Sequence, residues 1–593
     1  MERKDIPENL RWKLEDLYEN QTAWENAYLK AEEAYKNLDL TPFKGKLGDK
    51  KALLECLNYI DALSSEIEKV FLYAHMRHHE DMRNAENSAN LSKTIGLYSK
   101  LFAEFSFVEP ELTSYSDEYL TSLVGDKDFK AYDYRLQKII KSKAHVLSAK
   151  EEKLLALASD TLGDFQNVFS MLDNANLNLP KAKFNGEEIQ MSHGMYGVVM
   201  HSGTAEERKE WFEKYYNSYI KLIDAIAQTY YSNVKKNVFY KTVRNYDSCL
   251  AMALAGEDVD KKVYDNLIKA THDALPYLHE YIRTRKQVLK LDEQHIYDVF
   301  IPLTENAEIK LPFDKAYETV VDGLALLGKE YQALLRKGRA DRWIDVCEND
   351  GKRNGAYSTS VYEAPHPYVL LNYQETTNDV FTIAHEMGHA LHTYKSREAQ
   401  PYSKADYTIF LAEIASTVNE VLLLKHLYKN TTDDNLKKYL LNYYMETIRA
   451  TLFRQTQFAE FEQLAHEKAE QGEALTKDNL SEIYYNLNKQ YYGDGIIHDE
   501  QIRYEWARIP HFYSAFYVYK YATGIISAIS IVKRIEREGE TAVKDYMQFL
   551  SAGGSEDPVA ILKKAGVDLT TEEPFKVAMQ EFADTLTAFK KYI

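Results

Sequence analysis

FTIAHEMGHALHTYKS, residues 381–396, places His385 and His389 four apart with Glu386 beside the first, and His392 three residues further on. Thr376, Thr377, Asn378 and Asp379, just upstream, are all good N-cap types. They predict a helix from near 378 to about Tyr394. On an α-helix, residues four apart are offset by about 40° around the axis and about 6 Å along it. Two imidazoles so placed can converge on one ion at about 2.0–2.1 Å from each nitrogen. Glu386 then lies where its carboxylate can reach a water at the metal without binding the metal itself. That division of labour, two ligands and one general base, is the logic of an HExxH helix. Zinc suits such ligands and tolerates an open position for substrate. The competing reading is three histidines on an ordinary core helix. The N-capping residues, the strand-like pair upstream and Gly388, which keeps the helix slim, favour the metal site.

The third ligand must come from elsewhere. His392 shares the face of His385 and His389 but is about 10.5 Å of rise from His385, and one ion cannot easily bridge that on a straight helix. Its expected place is beside the site, as a lining residue. Glu413, in YTIFLAEIASTVNEVLLL, is the better candidate: it belongs to a separate helical segment joined by a polar loop containing Pro401. Two packed helices could then present a His₂Glu set to one ion. Ser416 and Glu420 share the face of Glu413. Glu420 could accept the ring N–H of a ligating histidine, or it could be an ordinary solvated carboxylate.

The bulk of the chain fits a large globular protein. Its 593 residues exceed the size at which single cores stop growing, so at least two domains or lobes are expected. Hydrophobic content is 45% and charged content 28%, ordinary for a soluble protein. The 46 tyrosines are unusual; most must line helix interfaces or a wet cavity, where a ring is buried and a hydroxyl still finds a partner. A net charge of −18 argues against nucleic-acid or anionic-membrane partners. Cys56, Cys249 and Cys347 are far apart and form no CxxC pair, which disfavours disulfides and cysteine metal sites and suits a reducing compartment. The start MERKDIPENL lacks the apolar core of a signal peptide, and GIISAISIV (524–532) is far short of a membrane span. The expectation is a cytoplasmic protein, monomeric or weakly self-associating.

Helical periodicity dominates, as in residues 49–80 and 88–107. Ser148 with Glu151 and Thr204 with Glu207 read as capping boxes. Between them, Asn185-Gly186 in LPKAKFNGEEIQM signals a hairpin, because a type I′ turn needs positive φ at both positions. A lobe boundary is expected near 195–205, giving an N-terminal helical lobe (1–200) that caps a channel and a catalytic lobe (201–593). GAYSTSVY (355–362) and PYVLLNYQ (367–374) read as two short strands. Helical segments follow at roughly 408–428, 433–468, 476–491, 511–536 and 575–591.

A second constellation is RIPHFYSAFYVYKYATG, residues 508–524, with His511, Tyr513, Tyr517, Tyr519 and Tyr521. Read as a helix, it puts Tyr513, Tyr517 and Tyr521 on one face. Phenols and imidazole are good donors to a developing oxyanion, although pattern alone reads as a tyrosine-lined core helix.

The HEMGH helix, the glutamate of FLAEIASTVNE and the segment HFYSAFYVYKYATG together resemble the thimet-oligopeptidase group of zinc metallopeptidases, and in particular its oligoendopeptidase F branch. IPENLRWKLEDLY and LGDFQNVFSMLDNANL carry the same resemblance, so it covers nearly the whole chain. It implies a mostly α fold: a large multi-helix ellipsoid of two lobes around a deep substrate channel, with a small β-sheet beside the catalytic helix. It implies one zinc ion per chain held by His385, His389 and Glu413, with Glu386 as base, and cleavage of short unstructured peptides. His511 and the tyrosines at 513, 517, 519 and 521 would hold the tetrahedral intermediate. Tyr513 and Tyr517 align most naturally; Tyr519 and Tyr521 compete for the third place.

Under this reading Glu386 takes a proton from the attacking water and delivers it to the leaving amine. The substrate backbone is expected to add as a strand to a segment within 355–374. Two other classes fit the motif: an aminopeptidase, and a peptide- or metal-binding protein without turnover. An intact Glu386 argues against the latter.

Overall fold

A computed structural model describes residues 1–304 and 310–593. The expected mostly helical fold is borne out, with only two small sheets among the described residues. The first is the hairpin β1 (Lys181–Phe184) and β2 (Glu187–Gln190), with φ of 53° at Asn185 and 83° at Gly186, as a type I′ turn requires. Both expected capping boxes form, at Ser148/Glu151 and Thr204/Glu207.

The chain divides into two compact units. One comprises Met1–Val146, Glu308–Lys429 and Ile531–Val567; the other comprises Leu147–Ala307, Asn430–Ser530 and Asp568–Ile593. Each therefore draws on segments from both sides of residue 200.

In the first unit, the N-terminal helices bury an aromatic-rich core that includes Trp12, Trp24, Tyr73 and Leu101 and reaches Tyr368 and Leu370. Those last two residues belong to the second sheet, ordered β3-β5-β4, where β3 is Ile344–Asp345, β4 is Tyr357–Thr359 and β5 is Tyr368–Leu370. The central strand β5 is buried throughout, parallel to β3 and antiparallel to β4. Buried ions pin this sheet. The Asp345 carboxylate accepts from Arg3 at 2.6 Å and lies 2.7 Å from the Lys352 ammonium, which also donates to the carbonyls of Cys347 and Leu371. A charge removed from water needs such full pairing.

Directly after the sheet, the HExxH helix runs Thr377–Ala399. Its N-cap is Thr376, whose side chain accepts from the Asp379 N–H while Asp379 caps back. The helix Ile409–Asn430 follows.

In the second unit, the expected 433–468 segment is two α-helices, Asp434–Ile448 and Arg454–Glu470, joined by a π turn at Arg449–Phe453. The expected helix 511–536 is corrected. Pro510–Tyr513 is a 3₁₀ turn, and the α-helix begins only at Tyr519. Between them Phe516 adopts φ of 55°, a left-handed conformation that breaks a right-handed helix.

Candidate metal centre

The HExxH helix and the Ile409–Asn430 helix touch backbone to backbone. A Cβ at Gly388 would lie 2.6 Å from Ser416 Cα and 2.8 Å from the Ala415 carbonyl oxygen. Asn419 ties them further, donating to the Ala384 carbonyl at 3.0 Å and accepting from the Tyr331 hydroxyl at 3.0 Å. This close approach brings Glu413 to the two histidines.

Three donor atoms meet there. His385 Nε2 and His389 Nε2 are 3.2 Å apart, and Glu413 Oε2 is 3.5 Å from the first and 3.6 Å from the second. Ligands about 2.0–2.1 Å from a tetrahedral ion are about 3.3 Å from one another. The triangle has that size, so these residues fit a metal ion. His385, His389 and Glu413 are also the one metal-competent group of this kind among the described residues.

The surroundings orient the ligands. Glu420 accepts from His385 Nδ1 at 2.5 Å, which turns Nε2 towards the cluster. The Ser416 hydroxyl donates to Glu413 Oε2 at 3.2 Å. Burial would lower the His385 pKa, but the Glu420 hydrogen bond and the charges of Glu420, Glu386 and Glu413 raise it to about 9. Glu413 behaves conversely: burial would raise it, yet His389 and His385 bring it to about 2. The pocket is electronegative and favours a cation. Glu386 is buried, and burial, opposed by the two histidines, raises its carboxyl. Its Oε2 has no hydrogen-bond partner among the described residues. A buried carboxyl with a perturbed pKa marks a candidate functional group.

His392 is not part of the triangle. Its fully buried ring stacks on Tyr407 at 3.7 Å with an 8° interplanar angle and abuts Phe549. Burial lowers its pKa to about 3, so it is a neutral packed ring.

The five residues of the 508–524 segment divide. His511, Tyr517 and Tyr521 form one face: the Tyr517 and Tyr521 rings are 5.5 Å apart, each lies about 6 Å from the His511 ring, and Tyr521 Oη is 3.4 Å from His511 Nε2. Tyr513 and Tyr519 are buried instead. Tyr513 stacks on Phe169 at 4.6 Å and packs edge-on against Tyr230; Tyr519 packs on Tyr264 at 5.3 Å. The shared face expected for Tyr513, Tyr517 and Tyr521 fails because the turn at Phe516 rotates Tyr513 inward. Sequence reasoning missed Asn419; its signal was a lone amide in the apolar stretch following Glu413.

A half-buried His₂Glu triangle on two packed helices, with a glutamate beside the first histidine, is a donor set of the kind that catalytic metal sites use. The model of peptidase family M3 matches residues 198–581, and a second model, oligopeptidase F, matches residues 111–178. The chain belongs to peptidase family M3 and is a metalloendopeptidase. Oligopeptidase PepF of Bacillus subtilis is 41% identical over 100% of this chain and 88% of its own. The plasmid-borne oligoendopeptidase F of Lactococcus lactis subsp. cremoris is 37% identical over 100% and 98%. The crystal structure of oligoendopeptidase-F from Enterococcus faecium superposes with a TM-score of 0.73 at 32% identity, covering 96% of this chain and 99% of that one.

Proposed function

We propose that the chain is a zinc endopeptidase that cleaves internal bonds of short, unstructured oligopeptides. The observation that carries this reading is the triangle of His385 Nε2, His389 Nε2 and Glu413 Oε2, with its 3.2–3.6 Å edges, beside the buried Glu386. Bound there, zinc would polarise the scissile carbonyl and acidify a water. Glu386 accepts the proton of the attacking water and passes it to the leaving amine; its raised pKa suits both transfers. Of the five candidates at 511, 513, 517, 519 and 521, His511, Tyr517 and Tyr521 are the three that reach solvent, and they are the proposed donors to the oxyanion. The substrate adds as a strand to β4, the edge of its sheet, and Gly355 with φ of 83° allows close backbone approach. The names of the relatives support peptides as substrates.

The test is one peptide blocked at its N-terminus, digested with and without a chelator and analysed by mass spectrometry. Internal cleavage abolished by the chelator and restored by zinc is expected. An enzyme that cleaves only unblocked peptides, one residue from the end, is an aminopeptidase and overturns the reading.

A further inference from the structure

Two features of the second unit have no part in the chemistry above, yet they meet. One is Phe516, a bulky aromatic residue in left-handed backbone at φ 55°. L-residues other than glycine, asparagine and aspartate rarely adopt that conformation, and its persistence implies that the surroundings impose it. The other is Glu462, a carboxyl fully buried on the helix Arg454–Glu470. Its Oε1 accepts the Phe516 N–H at 3.0 Å, and its Oε2 is buried with no hydrogen-bond partner among the described residues.

The rest of the turn is gripped from the same side. The Phe516 ring lies on the His466 ring at 4.7 Å. His466 donates from Nδ1 to the Glu462 carbonyl and accepts from Asn237 at Nε2, which fixes its tautomer. Asn233 donates to the Phe512 carbonyl at 3.4 Å. The backbone is thus held at Phe512 and at Phe516, immediately before Tyr517. The reversal between those two points is what places His511 against Tyr517 and Tyr521 while sending Tyr513 inward.

We propose that Glu462 is the positioning residue for the oxyanion-stabilising face: its buried carboxyl holds the left-handed turn at Phe516 and so fixes His511, Tyr517 and Tyr521 relative to one another. The role needs an oxygen acceptor, not a charge. Burial pushes the carboxyl up to about 8 despite the Phe516 N–H, so the neutral acid is the working form at neutral pH. The inference rests on the role given to those three side chains under the peptidase reading. A positioning error of about 1 Å in such a group can cost about a hundredfold in rate.

Glu462→Gln keeps an oxygen acceptor at the same reach; Glu462→Met fills the volume and removes it. Both are assayed as metal-loaded enzymes on one blocked peptide, beside Glu386→Gln. Glu462→Met is expected to lower kcat about 10–100-fold at unchanged KM and unchanged metal content. Glu462→Gln is expected to stay within about threefold of wild type. A Glu462→Met enzyme within threefold of wild type overturns the proposal, and so does a Glu462→Gln enzyme as impaired as Glu462→Met. If Glu462→Met does not fold, amide hydrogen exchange at Phe516 decides. Slow exchange in both wild type and Glu462→Gln supports the tether; exchange at the rate of an open loop in either overturns it. A Glu386→Gln enzyme that still turns over refutes the peptidase mechanism and leaves the exchange measurement to judge Glu462.

Discussion

Gly388 lies inside the HExxH motif, between Glu386 and His389, and the sequence alone gives it only a steric role. Replacing it with alanine adds one methyl group where Ser416 Cα is 2.6 Å away, the Ala415 oxygen 2.8 Å and the Ser416 nitrogen 2.9 Å. Carbon–carbon contacts settle at about 3.5–4.0 Å, so the two helices must part by about 1 Å. None of the three obstructing atoms is a flexible side-chain end that could swing aside. Glu413 is one turn before Ser416, so the displacement passes to the ligand triangle, whose edges are 3.2–3.6 Å. Metal–ligand distances tolerate only about 0.2 Å of misfit. The expected outcome is a loss of metal affinity of at least about 100-fold, as for losing a well-placed supporting group or worse. Overpacking should cost about 1–3 kcal/mol, set against a helix-propensity gain of up to about 1 kcal/mol for alanine over glycine. Gly96→Ala is the control, since nothing lies within 4 Å of a Cβ there. The assay is metal content after dialysis at fixed free zinc, with thermal unfolding with and without chelator. The chelator-sensitive part of Tm should vanish in Gly388→Ala and persist in Gly96→Ala. A Gly388→Ala enzyme with full metal content and wild-type turnover refutes the argument that backbone contact sets the ligand geometry.

Other outcomes follow from the same geometry. Glu386→Gln should keep its metal and fold and lose nearly all turnover, read by metal analysis beside kcat. Glu413→Ala should lose metal, whereas His392→Phe should keep it; the reverse pattern would make His392 the third ligand. Glu420→Ala should weaken metal binding about 10–100-fold by freeing the His385 ring, measured by competition with a chromogenic chelator. Acid stability should carry a His392 signature. The folded ring sits at about 3 and the unfolded one near 6.5, so the unfolded chain binds the proton first. That contribution is complete above about 6.5 and is lost as pH falls towards 3. Chelated wild-type protein should therefore lose Tm over that window more steeply than chelated His392→Phe, and equal slopes would rule out a neutral buried imidazole.

What could be read in advance, and what could not, separates along physical lines. The start of the HExxH helix, its N-cap and the Asn185-Gly186 hairpin are local: each depends on residues a few positions apart and forms at its expected place, whereas the helix runs on to Ala399, five residues past its expected end at Tyr394. Glu413 is not local, but helix rise had already made His392 too distant, and a second helix with a glutamate on its polar face was at hand. The turn at Phe516 was illegible for the opposite reason. Nothing in SAFYVY resembles a left-handed position, because no glycine or asparagine marks it. The conformation is imposed by Glu462, more than fifty positions earlier, through one hydrogen bond. Helical periodicity therefore carried the reading straight through 511–518 and put Tyr513 on the wrong side.

That failure bears on the chemistry. Where local preference and final structure agree, as in the backbone of residues 377–399, the conformation needs no outside help. Where they disagree, some other group must hold the backbone against its preference, and the site depends on that group as much as on the residues that touch substrate. The HExxH helix shows a different dependence at Gly388, where one absent methyl sets the distance between ligands on two helices. The metal triangle rests on a backbone contact and the His511 face on a buried carboxyl, and neither shows in the spacing of the motifs themselves. Substitutions at Gly388 and Glu462 should accordingly damage turnover in separable ways, the first through metal occupancy and the second through kcat at full occupancy.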